Sequence, residues 1–364
     1  MDTIRFGLIG YGKVAHLHAQ AISEAFGAQL VSVCGRNKNR RDEFASKWHI
    51  QSRENVKEMA QLDHVDAVII TTPHPQHHDD ALDSFTAGCH VLVEKPMAVS
   101  NSEATSMILA SERANKLLGV ISQRRWYPST MRIKEAIDSG KLGKPALASV
   151  TILGWRDEAY YLSDPWRGKW ETEGGGVCIN QAPHQFDLLC WFLGPIARIK
   201  AEWENINHPY IEVEDSAVAT VRFTTGAIAS ILVSNSQKPG LYAKVHVHGS
   251  SGASVGVQTD GGAMFIAGQS NIVEPPYNDL WNIEEEQQLL ETFKEQDFSF
   301  FKTIDPTTYF FTLQIEDFVK AIVERSQPLV TGRDGREVVR LIEGIYLSGR
   351  SHSTVTFHDE TDKR

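Results

Sequence analysis

Residues Ile4 to Ala15, Ile-Arg-Phe-Gly-Leu-Ile-Gly-Tyr-Gly-Lys-Val-Ala, narrow the fold of this chain more than any other stretch. A short apolar run, Ile4 to Ile9, leads into Gly10-x-Gly12-x-x-Ala15, and a helical pattern then continues to Phe26. Glycine at 10 permits the tight turn from strand to helix. Glycine at 12 lets an anion approach the backbone N–H groups at the helix start, where the dipole favours negative charge. In that setting, with Lys13 and Val14 in the first turn, the motif predicts a dinucleotide site at the edge of a parallel sheet. The following residues agree. Strand patterns at about 29–34, 66–70, 90–93 and 118–121 alternate with helical patterns at 38–48, 76–87 and 100–115, the rhythm of βαβ units.

The rhythm changes after residue 123. A helix is predicted over Thr130 to Ser139, ended by Gly140 to Pro145, and β-rich stretches follow at 146–153, 198–204, 215–223, 226–235, 242–249 and 252–258. Thr224-Thr225-Gly226 reads as a hairpin turn. Residues 267–305 are polar and acidic and carry no clear pattern. Helices at 309–324 and about 336–350 close the chain, with Gly332 and Gly335 expected in the turn between them. The expected organisation is a dinucleotide-binding domain over 1–123 and a substrate-binding and oligomerisation α/β domain over 124–364. The C-terminal helix has the alternative of packing back on the first domain. The tail His358 to Arg364 is expected to fray.

At 364 residues two cores are affordable. A net charge of −10 argues against non-specific nucleic-acid or anionic-membrane binding. Cys34, Cys89, Cys178 and Cys190 show neither C-x-x-C nor zinc spacing, so reduced thiols and a cytoplasmic location are expected. The first residues lack a basic start and apolar core, so no signal peptide is read there.

Two further segments carry chemistry. Glu94-Lys95-Pro96 directly follows a strand pattern, at the strand end where doubly wound folds bind ligands. Gly174-Gly175-Gly176 precedes a predicted helix running through Leu193. On that helix Asn180 and His184 are four residues apart and share a face, with Asp187 one turn on. Phe186, Leu189 and Leu193 form the buried side. A satisfied core histidine is the alternative reading of His184.

Taken in order, Gly10-x-Gly12-x-x-Ala15, Thr72-Pro73-His74-x-x-His77, Glu94-Lys95-Pro96 and Gly174-Gly175-Gly176-x-x-x-Asn180-x-x-x-His184-x-x-Asp187 resemble the glucose-fructose oxidoreductase, inositol dehydrogenase and rhizopine catabolism (Gfo/Idh/MocA) family. The resemblance runs from Ile4 to about Val355. It implies an N-terminal Rossmann domain, a C-terminal α/β domain with an open, mainly antiparallel sheet, and NAD(P)-dependent redox chemistry on sugars or cyclitols. It implies catalytic work for Lys95, for His184 and for an acid four residues before that histidine. Asn180 stands at the acid's place, so a three-residue charged relay is in question. His74 stands where asparagine is usual, and Thr72, Pro73, His74, His77 and Glu94 are assigned to the cofactor edge.

The chemistry then needs a base for a hydroxyl proton and a cation for the developing alkoxide. His184 is the candidate base and Lys95 the candidate cation. After the second strand comes Gly35-Arg36-Asn37-Lys38, without the acid that binds a ribose 2′-hydroxyl. Arg36 can offer its fork to a 2′-phosphate or stack on adenine, and the balance favours NADP over NAD. Between Trp155 and Trp170 lie five aromatics and three cations. Arg125, Trp155, Arg156, Tyr160, Trp166 and Arg167 are the candidate substrate contacts beside Asn180 and His184. Interface packing is the competing explanation for the aromatics. His74, His77 and His78 lack an acid at ligand spacing, so no metal is expected. The leading expectation is a dehydrogenase or reductase on a neutral sugar, glycoside or inositol, as a homodimer or homotetramer. The alternatives are an NAD-dependent glycoside hydrolase or lyase using transient oxidation, and a non-catalytic sugar sensor.

Overall fold

The structure, a computed structural model, describes residues 3–261 and 274–357. The expected frayed tail from His358 lies outside them. The chain divides into two compact units, Met1–Gln123 with Asp305–Val339, and Arg124–Ile304 with Arg340–Arg364. No helix among the described residues is long and apolar enough to cross a membrane.

The first unit holds strands β1 (Ile4–Ile9), β2 (Ala28–Cys34), β3 (Gln51–Arg53), β4 (Ala67–Ile70), β5 (His90–Val93) and β6 (Leu118–Val120). They pair in parallel in the order β3-β2-β1-β4-β5-β6. The order reverses between β1 and β4, which opens a crevice beyond their carboxyl ends, at Gly10 and Thr71. Phe6, Leu8, Val33, Ile69 and Leu92 pack with Ile22 from helix Lys13–Glu24 and with Ile315 and Phe318 from helix Tyr309–Glu324. Strand β3 and helix Val56–Leu62 were not anticipated, although Asn55 three residues before Glu58 is a capping pattern for the helix. Gln51-Ser52-Arg53 is a polar edge strand with no apolar residue to alternate.

One expectation is corrected here. Gly332 and Gly335 lie within helix Gly332–Ser351, not in a turn before it. A Cβ on Gly332 would come within 2.7 Å of Leu118, and one on Gly335 within 2.5 Å of Val120. The glycines let a helix approach β6 closely. They do not interrupt it.

The second unit holds β7 (Pro145–Leu153), β8 (Ile196–Glu204), β9 (Ser216–Phe223), β10 (Ile228–Ser234), β11 (Tyr242–Gly249), β12 (Ser254–Gly261), β13 (Tyr277–Asn282) and β14 (Val355–Thr356). The order is β13-β12-β11-β7-β10-β9-β8-β14, antiparallel except for the parallel pair β7 and β10. Val150, Ile152, Val221, Ile231, Val233 and Val245 are buried on one face, while Leu147, Val218, Ile228 and Leu232 are exposed on the other. That is the period of two expected for a sheet covered on one side. Helix Pro183–Leu193 packs on β7 and β11. Thr224, Thr225 and Gly226 form the predicted hairpin turn, with Gly226 at φ +90° and Phe223 N donating to Ala227 O.

Within the unassigned 267–305 stretch lie β13 and helix Leu289–Phe301. Both are held by polar contacts, which hydrophobic periodicity does not register. Buried Asn278 donates to the Ser129 and Gly256 carbonyls, and Arg132 joins Asn278 to Asp297.

Candidate active site

In the first unit the chain leaves β1 at Gly10, whose φ is +104° and whose absent Cβ would lie 2.8 Å from Thr71 Oγ1. Gly12 then caps helix Lys13–Glu24 without a side-chain hydrogen bond, and the first turn has no acidic residue. A Cβ on Gly12 would meet nothing within 4 Å. Unsatisfied N–H groups therefore face open space at a positive helix end, which fits a pyrophosphate. Lys13 and Val14 are exposed beside it.

At the end of β2, Gly35 accommodates the ring of Tyr11, 2.4 Å from where a Cβ would stand. Tyr11 Oη accepts from Asn37 N at 2.9 Å, and the Arg40 guanidinium lies 5.2 Å from the Tyr11 ring centre. Arg36 is exposed. No acid occurs between Gly35 and Arg41. Tyr11 and Arg40 were missed at the sequence level. Their only signal was an aromatic inside the glycine motif and a third cation after β2.

Beyond β4 and β5 the two remaining cofactor-edge motifs meet. Thr72 Oγ1 donates to Asp80 at 2.6 Å. His77 is fully buried, with Nδ1 2.9 Å from Pro96 O and Nε2 2.8 Å from Thr72 O. Burial pushes its pKa down, so a neutral ring donates to one of these carbonyls at a time. The buried His74 ring lies 5.9 Å from it, and Pro73 is half-buried between the motifs. Glu94 Oε1 lies 2.7 Å from His18 Nε2, and Oε2 accepts from Lys95 N at 3.1 Å. Burial pushes the Glu94 carboxyl up, but the bond and charge of His18 and the charge of Lys95 outweigh it and hold the pKa below the usual range. Lys95 is half-buried. Thus Thr72, His74, His77, Glu94 and Lys95 come together, and His18 joins them without having been anticipated. Among the described residues no three His, Cys, Asp or Glu side chains assemble as a metal site.

In the second unit the predicted single helix through Asn180 and His184 is two helices, Val177–Asn180 and Pro183–Leu193. Pro183 lacks the N–H a continuing helix needs, while Gln181 and Ala182, which link the two helices, keep right-handed helical angles. Asn180 and His184 therefore lie on consecutive helices rather than on one. Nor is the second helix amphipathic. Every residue from Pro183 to Leu193 except Trp191 is buried, His184 included, at 5% exposure. Phe186, Leu189 and Leu193 are buried as expected.

His184 lies just before two anchors. Gln185 Nε2 donates to Thr259 Oγ1 at 2.8 Å and to Asp260 at 3.1 Å. Asp187 accepts from Arg125 Nε at 2.9 Å and Nη2 at 2.7 Å. Arg125 is 1% exposed, so its guanidinium is turned into the framework of this unit and away from solvent.

The glycine loop is held from behind by Glu214. Its carboxylate accepts from Gly176 N at 2.8 Å, Cys178 N at 2.9 Å and Tyr346 Oη at 2.9 Å. Burial nevertheless pushes its pKa up to about 7. Ahead of the loop, Asn180 Nδ2 donates to Glu173 Oε1 and to Tyr160 Oη, the latter at 3.3 Å. The Arg167 and Arg156 guanidinium carbons lie 4.3 Å and 5.0 Å from the Tyr160 ring centre, and Arg167 also lies 4.4 Å from the Trp166 ring centre. Trp155 sits at the margin, 5.4 Å from the His208 ring. Arg156, Tyr160, Trp166, Arg167 and Asn180 are thus one cluster. Glu173, Glu214 and Gln185 belong to its surroundings and were missed. No motif marks them, and all three are buried and hydrogen-bonded.

Fold and site together define a nicotinamide-dinucleotide oxidoreductase scaffold with a separate mixed-sheet unit. Residues 4–122 match the family described as "Oxidoreductase family, NAD-binding Rossmann fold", and residues 130–255 match "GFO/IDH/MocA C-terminal domain". The chain belongs to the Gfo/Idh/MocA family. It is 29% identical to 1,5-anhydro-D-fructose reductase of Ensifer adhaerens, over 91% of this chain and 92% of that one. It is 25% identical to inositol 2-dehydrogenase of Rhizobium meliloti strain 1021, over 95% and 97%. Among solved structures, the WlbA dehydrogenase of Bordetella pertussis in complex with NADH and UDP-GlcNAcA superposes with a TM-score of 0.85, at 28% identity and 98% coverage of both chains.

Proposed function

We propose that this chain moves a hydride between nicotinamide and one ring hydroxyl or ketone of a neutral pyranose, simple glycoside or inositol. The observation that carries the reading is the start of helix Lys13–Glu24, uncapped, without acids and open at Gly12. Gly10, Gly12, Lys13 and Val14 would hold the pyrophosphate, and Thr72, Pro73, His74, His77 and Glu94 would border the cofactor. The bound nicotinamide supplies the hydride acceptor. In the oxidation direction His184 takes the hydroxyl proton, and the Lys95 ammonium stabilises the oxygen as it becomes alkoxide-like. Glu94 anchors Lys95 through its backbone N–H. Exposed Arg36 and the absence of an acid up to Arg41 favour NADP over NAD, because no carboxylate directly after β2 competes for Arg36 or repels a 2′-phosphate.

A neutral substrate suits the second unit. The Arg167 guanidinium is already bonded to Asp164 and Tyr160, and Arg156 to the Trp155 carbonyl. A nucleotide-linked uronate is the second reading, supported by the likeness to the UDP-GlcNAcA complex. The relatives acting on anhydrofructose and inositol support the first. The exposed Leu147, Val218, Ile228 and Leu232 on one sheet face support a homodimer or homotetramer. Steady-state kinetics on glucose, inositols, glucuronate and a UDP-sugar with each cofactor test the proposal. A kcat/KM highest for the UDP-sugar or the uronate overturns the neutral choice. No hydride transfer from any of them to either cofactor overturns the whole reading.

A further inference from the structure

Between Gly175 and Cys190 every residue is buried except Asn180 and Gln181, which are half-exposed. Both amides donate to Tyr160 Oη, at 3.3 Å and 3.0 Å, so the accessible floor of this segment is a pair of amides resting on a phenol. An amide carries donors at one end and an acceptor at the other, and a flip exchanges them. Something must fix which end the floor presents.

For Gln181 it is Asn235, whose Nδ2 donates to Gln181 Oε1 at 2.9 Å and so turns Nε2 to Tyr160. For Asn180 it is Glu173. That carboxylate is 1% exposed and is locked by Gly168 N, which donates to Oε2 at 2.6 Å. Its other oxygen accepts from Asn180 Nδ2. A flipped Asn180 would set its carbonyl oxygen against the carboxylate, two acceptors with no proton between them.

We propose that Glu173 is a positioning residue for the reaction: as a carboxylate it holds the Asn180 amide in one orientation, with the carbonyl oxygen turned away from Glu173 to accept from a substrate hydroxyl. The inference rests on the function proposed above. Once protonated, Glu173 can donate as well as accept, and it no longer discriminates between the two orientations of Asn180. Arg167 faces Glu173 and favours the carboxylate, Glu214 faces it and disfavours it, and the Tyr160 and Tyr161 phenols lie within its field. Arg156 faces the shared Tyr160. Burial is the largest influence on Glu173 and pushes its pKa up to about 7. Glu173 therefore gives up this discrimination in the neutral range, and the discriminating carboxylate is the form present at higher pH.

Oxidation then depends on two deprotonations, of Glu173 and of the base. On the acid limb, log kcat for the wild type rises with a slope approaching about two, and for Glu173→Gln with a slope of about one. The Gln variant, compared at pH 8 on the same ring polyol, is expected to lose about tenfold or more in kcat while its affinity for the nicotinamide cofactor by calorimetry stays unchanged. Asn180→Ala provides the second arm. It keeps Glu173 but removes the residue through which it acts, so it too should show the shallower limb. In the double variant, kcat should fall no further than in either single one. Superimposed pH profiles for wild type and Glu173→Gln, or a steep limb retained in Asn180→Ala, overturn the assignment while hydride transfer by the wild type stands. A wild type inactive on every polyol with both cofactors overturns the functional reading itself, and this inference with it.

Discussion

Gly176→Ala is a perturbation whose size can be worked from the structure. The new Cβ would stand 1.8 Å from Glu214 O and 2.9 Å from its carbonyl carbon. Those are backbone atoms of a buried segment, so a side-chain adjustment cannot relieve the clash. The loop must back away by more than an ångström. Three hydrogen bonds then fail together: Gly176 N to Glu214 Oε2 at 2.8 Å, Cys178 N to Oε1 at 2.9 Å, and Val177 N to Glu214 O at 3.2 Å. One neutral bond is worth about 1 kcal/mol and each bond to a carboxylate about 1.5–3 kcal/mol. Allowing for partial relaxation, the loss is about 4 kcal/mol or more. For a unit of this size each kcal/mol lowers the melting midpoint by about 2–4 °C, so the second unit should melt about 8–16 °C lower by calorimetry. Gly226→Ala is the control. It places the same methyl at φ +90° in the hairpin turn, where nothing lies within 4 Å. Only backbone strain of about 1–2 kcal/mol remains there. Cofactor affinity should be unchanged in both. Equal midpoints for the two variants would refute the claim that the glycine loop is packed against Glu214.

Lys95→Met should fold and bind cofactor, yet lose about 10²-fold or more in kcat, the scale of a lost charge-stabilising donor; wild-type turnover would remove Lys95 from the mechanism. Arg36→Ala should weaken NADPH by about 1–3 kcal/mol and leave NADH nearly unaffected, as a charge-assisted contact to a 2′-phosphate requires; equal losses in calorimetry would mean adenine stacking instead. The second unit should be more stable at pH 6 than at pH 8. Glu173 and Glu214 have folded pKa values raised to about 7 and His208 is also raised, so their stabilisation is full at low pH and is lost as pH rises through those values. His248, whose pKa burial lowers, opposes this weakly from a more exposed position. A calorimetric midpoint that rises from pH 6 to pH 8 would contradict the direction.

The sequence was most legible where burial is apolar and periodic. Strands β1, β4 and β5 and the glycine turn at Gly10 were visible because a doubly covered sheet demands uninterrupted apolar runs and one special backbone angle. It was least legible where polar side chains build the interior. Asn278 and Asp297 hold β13 and its helix by hydrogen bonds, and neither leaves an apolar pattern. The same applies to the site. Lys95 and His184 stood out by residue type and motif. Glu173 and Glu214 belong to no motif, and only the fold shows them buried under a glycine loop. The break at Pro183 is legible in the sequence as a missing N–H, and the four-residue spacing of Asn180 and His184 masks it.

The central claim is tested most directly by following the hydride. The wild-type protein is supplied with a ring polyol, an inositol or a pyranose, deuterated at the carbon bearing the reacting hydroxyl, together with NADP⁺ or NAD⁺, and both products are analysed by mass spectrometry and NMR. The account predicts deuterium at C4 of the reduced nicotinamide, with an equal amount of inosose or keto-sugar, and predicts that both form about 10²-fold more slowly or worse in Lys95→Met. Deuterium retained on the polyol with both cofactors across the panel would contradict it.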